Sequence, residues 1–136
     1  TSENLDALIF PGGFGVAKNL SDYAMAGMEC SINPDVLRLS KEVHNDGKPI
    51  GVICISPAIM AKILAGDTEL TIGFDEQTAS DIDAMGAKHV LCPVDEIVVD
   101  KEKKVVSTPA YMEAQSIKQA ASGIEKLVAE ILNMIK

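Results

Sequence analysis

Aromatic side chains are scarce in this sequence, and tryptophan is absent. Only 4% of the 136 residues are aromatic, whereas 47% are hydrophobic. The core must therefore be aliphatic, and the chain is long enough for one domain to bury such a core. Positive charge is also in short supply, because 20 Asp and Glu residues outnumber 12 Lys and Arg residues and give a net charge of −8. This balance argues against a surface that binds nucleic acid or an acidic membrane.

Several sequence signals of location and metal binding are missing as well. No apolar run reaches the roughly 20 residues that a membrane-spanning helix needs, and the first residues resemble neither a signal peptide nor a transit peptide. The three cysteines have no C-x-x-C spacing, and no group of side chains has the spacing of metal ligands. We therefore expect reduced thiols, no metal, no membrane contact and a cytoplasmic location.

Strand-like and helix-like segments alternate along the chain. Predicted strands cover residues 5–10, 50–55, 70–72, 89–91, 96–100 and 105–108. Predicted helices cover residues 35–44, 57–64, 78–85 and 113–135, the last with a buried stripe of Ile117, Ala121, Ile124, Val128, Ile131 and Ile135. The alternation predicts an α/β fold with a mainly parallel sheet, and the absence of a linker predicts a single domain over residues 1–136. Because the chain opens directly on a strand, we expect it to be the carboxyl-terminal part of a larger domain.

The most informative segment is the apolar run that leads into Cys54. Ser56 is a predicted N-cap, and Pro57 is predicted to occupy the first helical position. A cysteine between the strand and this helix would lie at the positive end of the helix dipole, which favours the nucleophilic thiolate. The pattern predicts the sharp strand-to-helix turn called a nucleophile elbow, although it departs from strict G-x-S-x-G.

A glycine-rich loop at residues 11–15 follows the first predicted strand. Ligands of parallel sheets bind at the carboxyl ends of the strands, so the loop would face Cys54 if the two strands are neighbours. Gly12 and Gly13 would let the backbone approach a reacting atom, and their N–H groups, with the Ile55 N–H, would stabilise an oxyanion. Asn19 could bind a ligand or cap a turn, and the capping role is the one we favour.

Structural roles compete with these functional ones. A lone cysteine in an apolar strand is commonly a small buried hydrophobic residue, and we interpret Cys30 and Cys92 in that way. His44 lies near a predicted helix C-terminus, and His89 has no carboxylate neighbour in sequence, so neither is placed as a general base. An acidic cluster on the predicted hairpin is interpreted as a solvated face; its members are Asp95, Glu96, Asp100 and Glu102.

These motifs, taken in order, resemble the ElbB-type glyoxalases. This group is a branch of the PfpI-like superfamily, which also contains the class I glutamine amidotransferases and the Parkinson-associated deglycase. The matching segments are residues 6–20, 47–51, 54–58, 70–73, 92–100, 108–112 and 122–128. The resemblance covers nearly the whole chain, and several motifs in the same order make it specific.

The resemblance implies a flavodoxin-like three-layer α/β/α sandwich. It also implies that Cys54 is the elbow nucleophile, and that Gly13, with Gly12, supplies the oxyanion contact. The implied activity is conversion of glyoxal-type dicarbonyls, such as glyoxal, to hydroxy acids such as glycolate, without glutathione or any cofactor. Members of the family occur in bacterial cytoplasm and in mitochondria, which implies a mitochondrial location if the source is a eukaryote.

Two departures from the family pattern stand out. Ile55 follows Cys54, and Gly73 stands where some relatives have a histidine, so a Cys-His-Glu triad is not supported. The family also has a glutamate near its own amino terminus that relays protons to and from the cysteine, and this chain has no matching segment. The expected sheet therefore has an exposed edge. We expect a homodimer, or association with the missing amino-terminal fragment, to cover this edge.

Three functions remain open from the sequence. The first is a cysteine-dependent glyoxalase, which predicts a lowered Cys54 pKa. The second is a redox-responsive protein in which peroxide oxidises Cys54 to a sulfinic acid. The third is a non-catalytic interaction protein of the same fold, in which Cys54 reacts slowly. The glycine loop and the elbow cysteine together favour the first.

Overall fold

A four-stranded sheet forms the centre of the computed structural model, which describes residues 2–135. In chain order the strands are β1 (Leu8–Phe10), β2 (Ile50–Ile53), β3 (Glu69–Leu70), β4 (Lys88–His89), β5 (Val98–Asp100) and β6 (Val105–Thr108). The sheet has the order β1-β2-β6-β5, in which β1, β2 and β6 are parallel and β5 pairs antiparallel with β6. β3 and β4 form a separate parallel pair. The predicted mainly parallel sheet and the predicted hairpin are thus confirmed.

Six helices pack around these strands. They are α1 (Phe14–Lys18), α2 (Tyr23–Ala26), α3 (Pro34–Asn45), α4 (Ser56–Leu64), α5 (Glu76–Ala84) and α6 (Ile117–Ile135). The sequence analysis predicted the last four and missed α1 and α2, which are five and four residues long. Within residues 2–135, no helix is both long and apolar enough to cross a membrane.

Side-chain caps explain where two of the predicted helices begin. The Asn33 side chain accepts hydrogen bonds from the Asp35 and Val36 N–H groups at 2.9 and 3.3 Å. The Asp75 carboxylate accepts one from the Thr78 N–H at 2.9 Å. Each cap satisfies N–H groups that have no partner within the helix, which fixes the first turn.

The two faces of the sheet carry separate apolar clusters. Ile50 and Val52 of β2 pack with α3, α4 and α5 on one face, whereas Ile53 packs with α6 on the other. Side chains alternate between the faces of a strand, so Gly51 also faces α6, and a Cβ there would lie 2.9 Å from Leu127 Cδ2. The resulting three-layer arrangement is the α/β fold with a flavodoxin-like architecture that was expected.

The predicted buried stripe of α6 was right at Ile131 and wrong at Ile117. The helix buries Ala120, Gly123, Leu127 and Ile131, while Ile117 of the predicted stripe is 84% exposed. The reason is Gly123, at which a Cβ would lie 2.6 Å from both Thr108 Oγ1 and the Val94 carbonyl oxygen. Because only a glycine permits this approach, the glycine side of α6 faces the sheet and part of the predicted stripe faces outward.

Candidate active site around Cys54

Cys54 lies at the sharp corner between β2 and α4. Its φ of 64° is in the left-handed region, which non-glycine residues rarely adopt. Such a conformation turns the chain abruptly and is typical of a nucleophile elbow. The N-cap of α4 is Ile55 and not Ser56, because the helix already begins at Ser56. The predicted capping position was therefore off by one residue, and the Ser56 Oγ is buried without a hydrogen-bond partner among the described residues.

The glycine loop packs directly against this corner. β1 and β2 are neighbours, with Phe10 opposite Val52, which confirms that the loop and Cys54 share one edge of the sheet. Gly12 has a φ of +92°, and a Cβ there would lie 2.7 Å from the Ile53 carbonyl oxygen and 2.8 Å from Cys54 Cβ. The loop is shorter than predicted, because Gly13 is the N-cap of α1 and Gly15 lies within that helix.

Three backbone N–H groups beside Cys54 favour its thiolate. They belong to Gly13, Ile55 and Met112, and each lowers the pKa of the thiol by stabilising the thiolate. Burial has the larger effect, however, since the residue is only 8% exposed, and it raises the pKa of Cys54 above its ordinary value. The expectation of a lowered pKa was therefore wrong in direction, because desolvation outweighs the three donors.

Met112 is the contact that the sequence analysis missed. It follows β6, which is the neighbour of β2 on the side away from β1. In a parallel sheet the carboxyl ends of adjacent strands meet at one edge, so residues just after Thr108 can reach Cys54. The available signal was the predicted strand at 105–108, but its position beside β2 could not be read from local sequence.

An apolar cavity of about 350 Å³ opens beside the sulfur. Its lining residues are Gly13, Ala17, Tyr23, Ala24, Cys54, Ile55 and Met112. Tyr23 supplies a hydroxyl that donates to Asp81 Oδ2 at 2.7 Å, and burial together with this bond raises its pKa. No lining residue carries a carboxylate or an imidazole. The cavity can therefore admit a small, weakly polar molecule to the sulfur, but its own walls supply no general base.

Asn19 does not line this cavity. It is the C-cap of α1, where its backbone N–H donates to the Gly15 carbonyl oxygen at 2.7 Å, and the residue is exposed. Asn19 thus lies at the end of a short helix, and its roles in ligand binding and in side-chain capping both stay predictions.

Neither histidine reaches Cys54. His89 Nε2 accepts a hydrogen bond from the Ile72 N–H at 3.2 Å, which requires an unprotonated nitrogen, and burial lowers the pKa of the ring. His44 lies in the last turn of α3, as predicted. Gly73 leaves room for the carboxylate of Glu113, because a Cβ on Gly73 would lie 2.8 Å from Glu113 Oε1. A carboxylate therefore fills the space beside the position where the resemblance places a histidine in some relatives.

The other two cysteines are buried away from the cavity. Cys92 is 3% exposed, and its thiol donates to the Pro93 carbonyl oxygen at 3.4 Å. Burial, followed by the charges of Glu96 and Asp95, raises the pKa of Cys92 to about 11. Cys30 is also buried, and burial raises its pKa. Both therefore occupy the structural positions that we expected.

The predicted acidic face is only partly a solvated one. Asp100 accepts hydrogen bonds from the Glu69 and Lys103 N–H groups, each at 3.0 Å, and so ties β5 to β3. Glu96 forms an ion pair with Lys126 of α6. Two members of the cluster thus have structural partners, and among the described residues no group of His, Cys, Asp or Glu side chains could hold a metal ion.

Comparison with known proteins identifies relatives of this chain. No family model matches the chain. It is 43% identical to the human mitochondrial glutamine amidotransferase-like class 1 domain-containing protein 3, over 98% of this chain and 53% of that protein. It is 41% identical, with the same coverage, to the rat mitochondrial ES1 protein homolog. The chain thus spans about half the length of these curated relatives.

Solved structures agree with the sequence relatives. An isoprenoid biosynthesis protein with an amidotransferase-like domain from Ehrlichia chaffeensis superimposes with a TM-score of 0.86 at 35% identity, over 98% of this chain and 61% of that one. DJ-1 from Schizosaccharomyces pombe gives a TM-score of 0.57 at 20% identity, which shows a shared fold, over 98% of this chain and 62% of that one. The chain is therefore related to amidotransferase-like proteins, and it shares its fold with DJ-1.

Proposed function

We propose that the chain carries the nucleophile site of a cysteine-dependent, glutathione-independent glyoxalase that converts glyoxal-type dicarbonyls to hydroxy acids. One observation carries this proposal, namely a cysteine at an elbow corner, packed against the glycine loop, that opens to a cavity of about 350 Å³. A dicarbonyl such as glyoxal is small, uncharged and electrophilic, which suits a thiol in an apolar cavity. The homology to amidotransferase-like proteins supports a nucleophilic role for the elbow residue.

The reaction can be written without an external oxidant or reductant. The Cys54 thiolate attacks one aldehyde carbon, a C–S bond forms, and the carbonyl electron pair moves to oxygen, which takes a proton to give a hemithioacetal. The proton on that carbon is removed and a proton is added to the neighbouring carbon, so one carbon is oxidised and the other is reduced. The resulting glycolyl thioester reacts with water, the C–S bond breaks, and glycolate and the free thiol are formed.

The N–H groups near the sulfur can assist this reaction directly. The Gly13 and Ile55 N–H groups favour the Cys54 thiolate, and both residues line the cavity, so we propose that they also donate to an oxygen on the carbon that the sulfur attacks. Preorganised donors of this kind stabilise developing negative charge and contribute on the order of 3 kcal/mol each to catalysis in other enzymes. Gly12 contributes by letting the loop come this close.

Carbon-to-carbon proton transfer needs a base that the cavity walls do not supply. Among the described residues of the lining, Tyr23 is the titratable one besides Cys54, and its raised pKa makes the phenolate too scarce to serve. We propose that the base comes from the glutamate that the resemblance implies, on a polypeptide segment associated with this chain. The chain alone is then expected to turn over slowly.

The test is glycolate formation from glyoxal in the absence of glutathione. The intact chain is compared with Cys54→Ala and with the matched control Cys92→Ala, in which an equally buried thiol is removed far from the cavity. The proposal expects turnover in the intact chain and in the control, and none in Cys54→Ala. Equal glycolate formation by all three proteins would refute a role for Cys54, and no formation by any of them, also after addition of a homologue's amino-terminal segment, would refute the activity.

A redox-responsive function is the second candidate, and the same donors favour it. N–H groups that bond a thiolate can also bond the oxygens of a sulfinate, which would favour oxidation of Cys54 to that state. Peroxide treatment followed by peptide mass spectrometry tests this, with Cys30 and Cys92 as internal references. Selective sulfinic acid at Cys54 without glyoxal turnover would favour this function, and equal oxidation of the three thiols would exclude it.

The relatives also bear on location. The human and rat proteins are mitochondrial, so we propose a mitochondrial location if the source is a eukaryote and a cytoplasmic one otherwise. Fractionation of the source cells, with the protein detected by antibody, tests the proposal. Recovery in a secreted or membrane fraction would overturn it.

A further inference from the structure

The chain between α1 and α3 folds back on itself as a closed loop, and we call residues 22–31 the flap. Its two ends meet, because the Asp22 N–H donates to the Ser31 carbonyl oxygen at 3.2 Å and the Ser31 N–H donates to Asp22 Oδ1 at 2.5 Å. Ser21 and Ile32 form an antiparallel bridge just outside this pair. Compact loops whose ends lie together in this way are Ω-loops, which frequently have a function.

The base of the flap is anchored to the rest of the fold. Ser21 is buried, and its Oγ donates to the Val16 carbonyl oxygen of α1 at 3.2 Å. The Asn33 N–H donates to the Leu20 carbonyl oxygen at 2.8 Å. Cys30, near the second end of the flap, is only 2% exposed. The two ends are therefore held in place by buried groups and by backbone hydrogen bonds.

The body of the flap is much less firmly packed than its base. It consists of α2 and a short 3₁₀ turn at Gly27–Glu29; the structure describes every one of these residues and buries none of them. Met25 is 91% exposed. Segments with few buried contacts open locally at a low cost in free energy. The body can therefore move on its anchored base unless a specific contact holds it.

Tyr23 supplies such a contact. Its hydroxyl donates to Asp81 Oδ2 at 2.7 Å, and a hydrogen bond to a carboxylate is stronger than one between neutral groups. Asp81 belongs to α5, whose Ile82 is fully buried in the core, so the bond joins the flap to a fixed element. Lys62 Nζ also donates to the Met28 carbonyl oxygen, but this bond is long, at 3.5 Å, and therefore weak.

The same tyrosine is part of the wall of the Cys54 cavity. Tyr23 and Ala24 of the flap line this cavity of about 350 Å³ together with Cys54 itself. Tyr23 thus both limits the space beside the sulfur and, through its hydroxyl, ties the flap to α5. Opening of the flap therefore changes the size of the molecule that can reach Cys54.

We propose that Tyr23 is a specificity-determining residue, which through its bond to Asp81 keeps the flap closed and restricts the Cys54 cavity to compact substrates. The inference rests on the proposed function for the class of substrate. It narrows that class to dicarbonyls that carry hydrogen or a small alkyl group, whereas an aryl-substituted dicarbonyl reacts when the flap is open. A bond that forms in the closed state alone shifts the equilibrium between the two states by its own strength.

The test compares N-methylmaleimide with N-phenylmaleimide, which share one reacting group and differ in size. Their rates of addition to Cys54 are measured at pH 7.5 by peptide mass spectrometry in the intact chain, in Tyr23→Phe and in Asp81→Ala. Tyr23→Phe keeps the ring in the cavity wall and removes the hydroxyl. We expect the ratio of the phenyl rate to the methyl rate to rise by about tenfold in both variants, since losing a hydrogen bond to a carboxylate shifts an equilibrium by about that factor.

Two further variants serve as controls. Tyr111→Phe removes the hydroxyl of the second tyrosine in the sequence, which is 63% exposed and is not among the described residues that line the cavity. Its rate ratio should equal that of the intact chain. Asp81→Asn keeps an accepting oxygen without the charge, so its ratio should rise less than that of Asp81→Ala.

An unchanged rate ratio in Tyr23→Phe would overturn the proposal. An equal acceleration of both maleimides at Cys54 and at the buried Cys92 would overturn it as well, because it would mean that the whole fold has loosened. A rise in Tyr111→Phe as large as that in Tyr23→Phe would have the same consequence. Because this readout is thiol addition and not glycolate, the proposal can fail while the glyoxalase activity stands, and the reverse is also true.

Substrate turnover supplies a second readout of the same role. In Tyr23→Phe the ratio of kcat/KM for phenylglyoxal to kcat/KM for glyoxal should rise by about the factor seen with the maleimides. A rise with the maleimides but not with the dicarbonyls would overturn the assignment of Tyr23 as a specificity-determining residue.

Discussion

Cys54 and Cys92 are both nearly buried, yet their surroundings differ in kind. Cys54 lies beside backbone N–H groups that favour its thiolate, and it faces a cavity. Cys92 donates its own proton to a carbonyl oxygen and lies near the carboxylates of Glu96 and Asp95. Burial raises the pKa of both thiols, but the neighbours of Cys54 oppose that effect and the neighbours of Cys92 add to it.

This difference shows which property separates a candidate nucleophile from a structural cysteine in this fold. Burial alone does not, because it is the largest effect at both sites. The separating property is the sign of the local dipoles and charges around the sulfur. At Cys54 those dipoles depend on the close approach of the Gly12 loop, whereas at Cys92 they come from side chains near the surface.

Adding a side chain at Gly12 should have the largest effect on the difference between Cys54 and Cys92. In Gly12→Ala the new Cβ meets the Ile53 carbonyl oxygen at 2.7 Å and Cys54 Cβ at 2.8 Å, at a φ of +92°. Overpacking and backbone strain together should lower the free energy of unfolding by roughly 3–5 kcal/mol. Urea unfolding measures this loss of stability. The alkylation rate of Cys54 should also fall towards that of Cys92.

Gly13→Ala is the matched control for Gly12→Ala. Gly13 has the same positive φ, of +93°, but no atom lies within 4 Å of an added Cβ. The strain alone should cost about 1–2 kcal/mol. Equal losses in the two variants would mean that the packing of Gly12 against the corner contributes nothing to stability.

Raising the pH should destabilise the protein through Cys92. Its pKa is about 11 in the folded chain, against about 9 when unfolded. Between these values the unfolded state loses the proton first, so the stability that is present below pH 9 is lost as the pH rises. Relative to Cys92→Ala, the intact chain should lose roughly 2 kcal/mol of unfolding free energy between pH 8 and pH 10.5. Urea unfolding of both proteins under reducing conditions measures this difference. If the difference in unfolding free energy does not change with pH, the pKa of Cys92 is not raised in the folded chain.

Alkylation should separate the two thiols directly. At pH 8 Cys54 should react about tenfold faster than Cys92, because it has the larger thiolate fraction and opens to a cavity. Since burial raises the pKa of Cys54 above its ordinary value, its rate should still be rising beyond pH 9 and should show no plateau near neutrality. Isotope-coded iodoacetamide and peptide mass spectrometry give both rates in one sample. A plateau near pH 7 would mean that the donors outweigh burial after all.

Local signals allowed the corner itself to be predicted from sequence. The apolar run before Cys54 and the Ser56-Pro57 pair are adjacent in sequence, as are Asn33 and Pro34 at the start of α3, and the structure has elements at both places. The direction of the Cys54 pKa could not be predicted in the same way. The helix dipole can be inferred from neighbouring residues, whereas desolvation depends on which distant elements cover the sulfur.

Long-range packing also decided the features that the sequence analysis missed or misplaced. Apolar residues cover more of α6 than the sheet can bury, so the pattern alone did not fix its rotation, and the contact of Gly123 with Thr108 and Val94 did. Met112 became part of the site only because β6 pairs with β2. α1 and α2 are too short to show a helical period, and α1 contains a glycine.

The smallest expected effect concerns the positive charge of Lys126, which lies near Cys92. Lys126 lowers the pKa of Cys92 slightly, against the larger opposite effects of burial, Glu96 and Asp95. Lys126→Gln should therefore raise that pKa a little and slow Cys92 alkylation at pH 9.5 by less than about twofold, since exposed charges interact weakly through water. Cys54 should not respond, because no charged side chain contributes to its pKa shift. Competitive alkylation of both thiols in one sample resolves so small a change, and a larger slowing at Cys54 than at Cys92 would show that the two sites are coupled through α6.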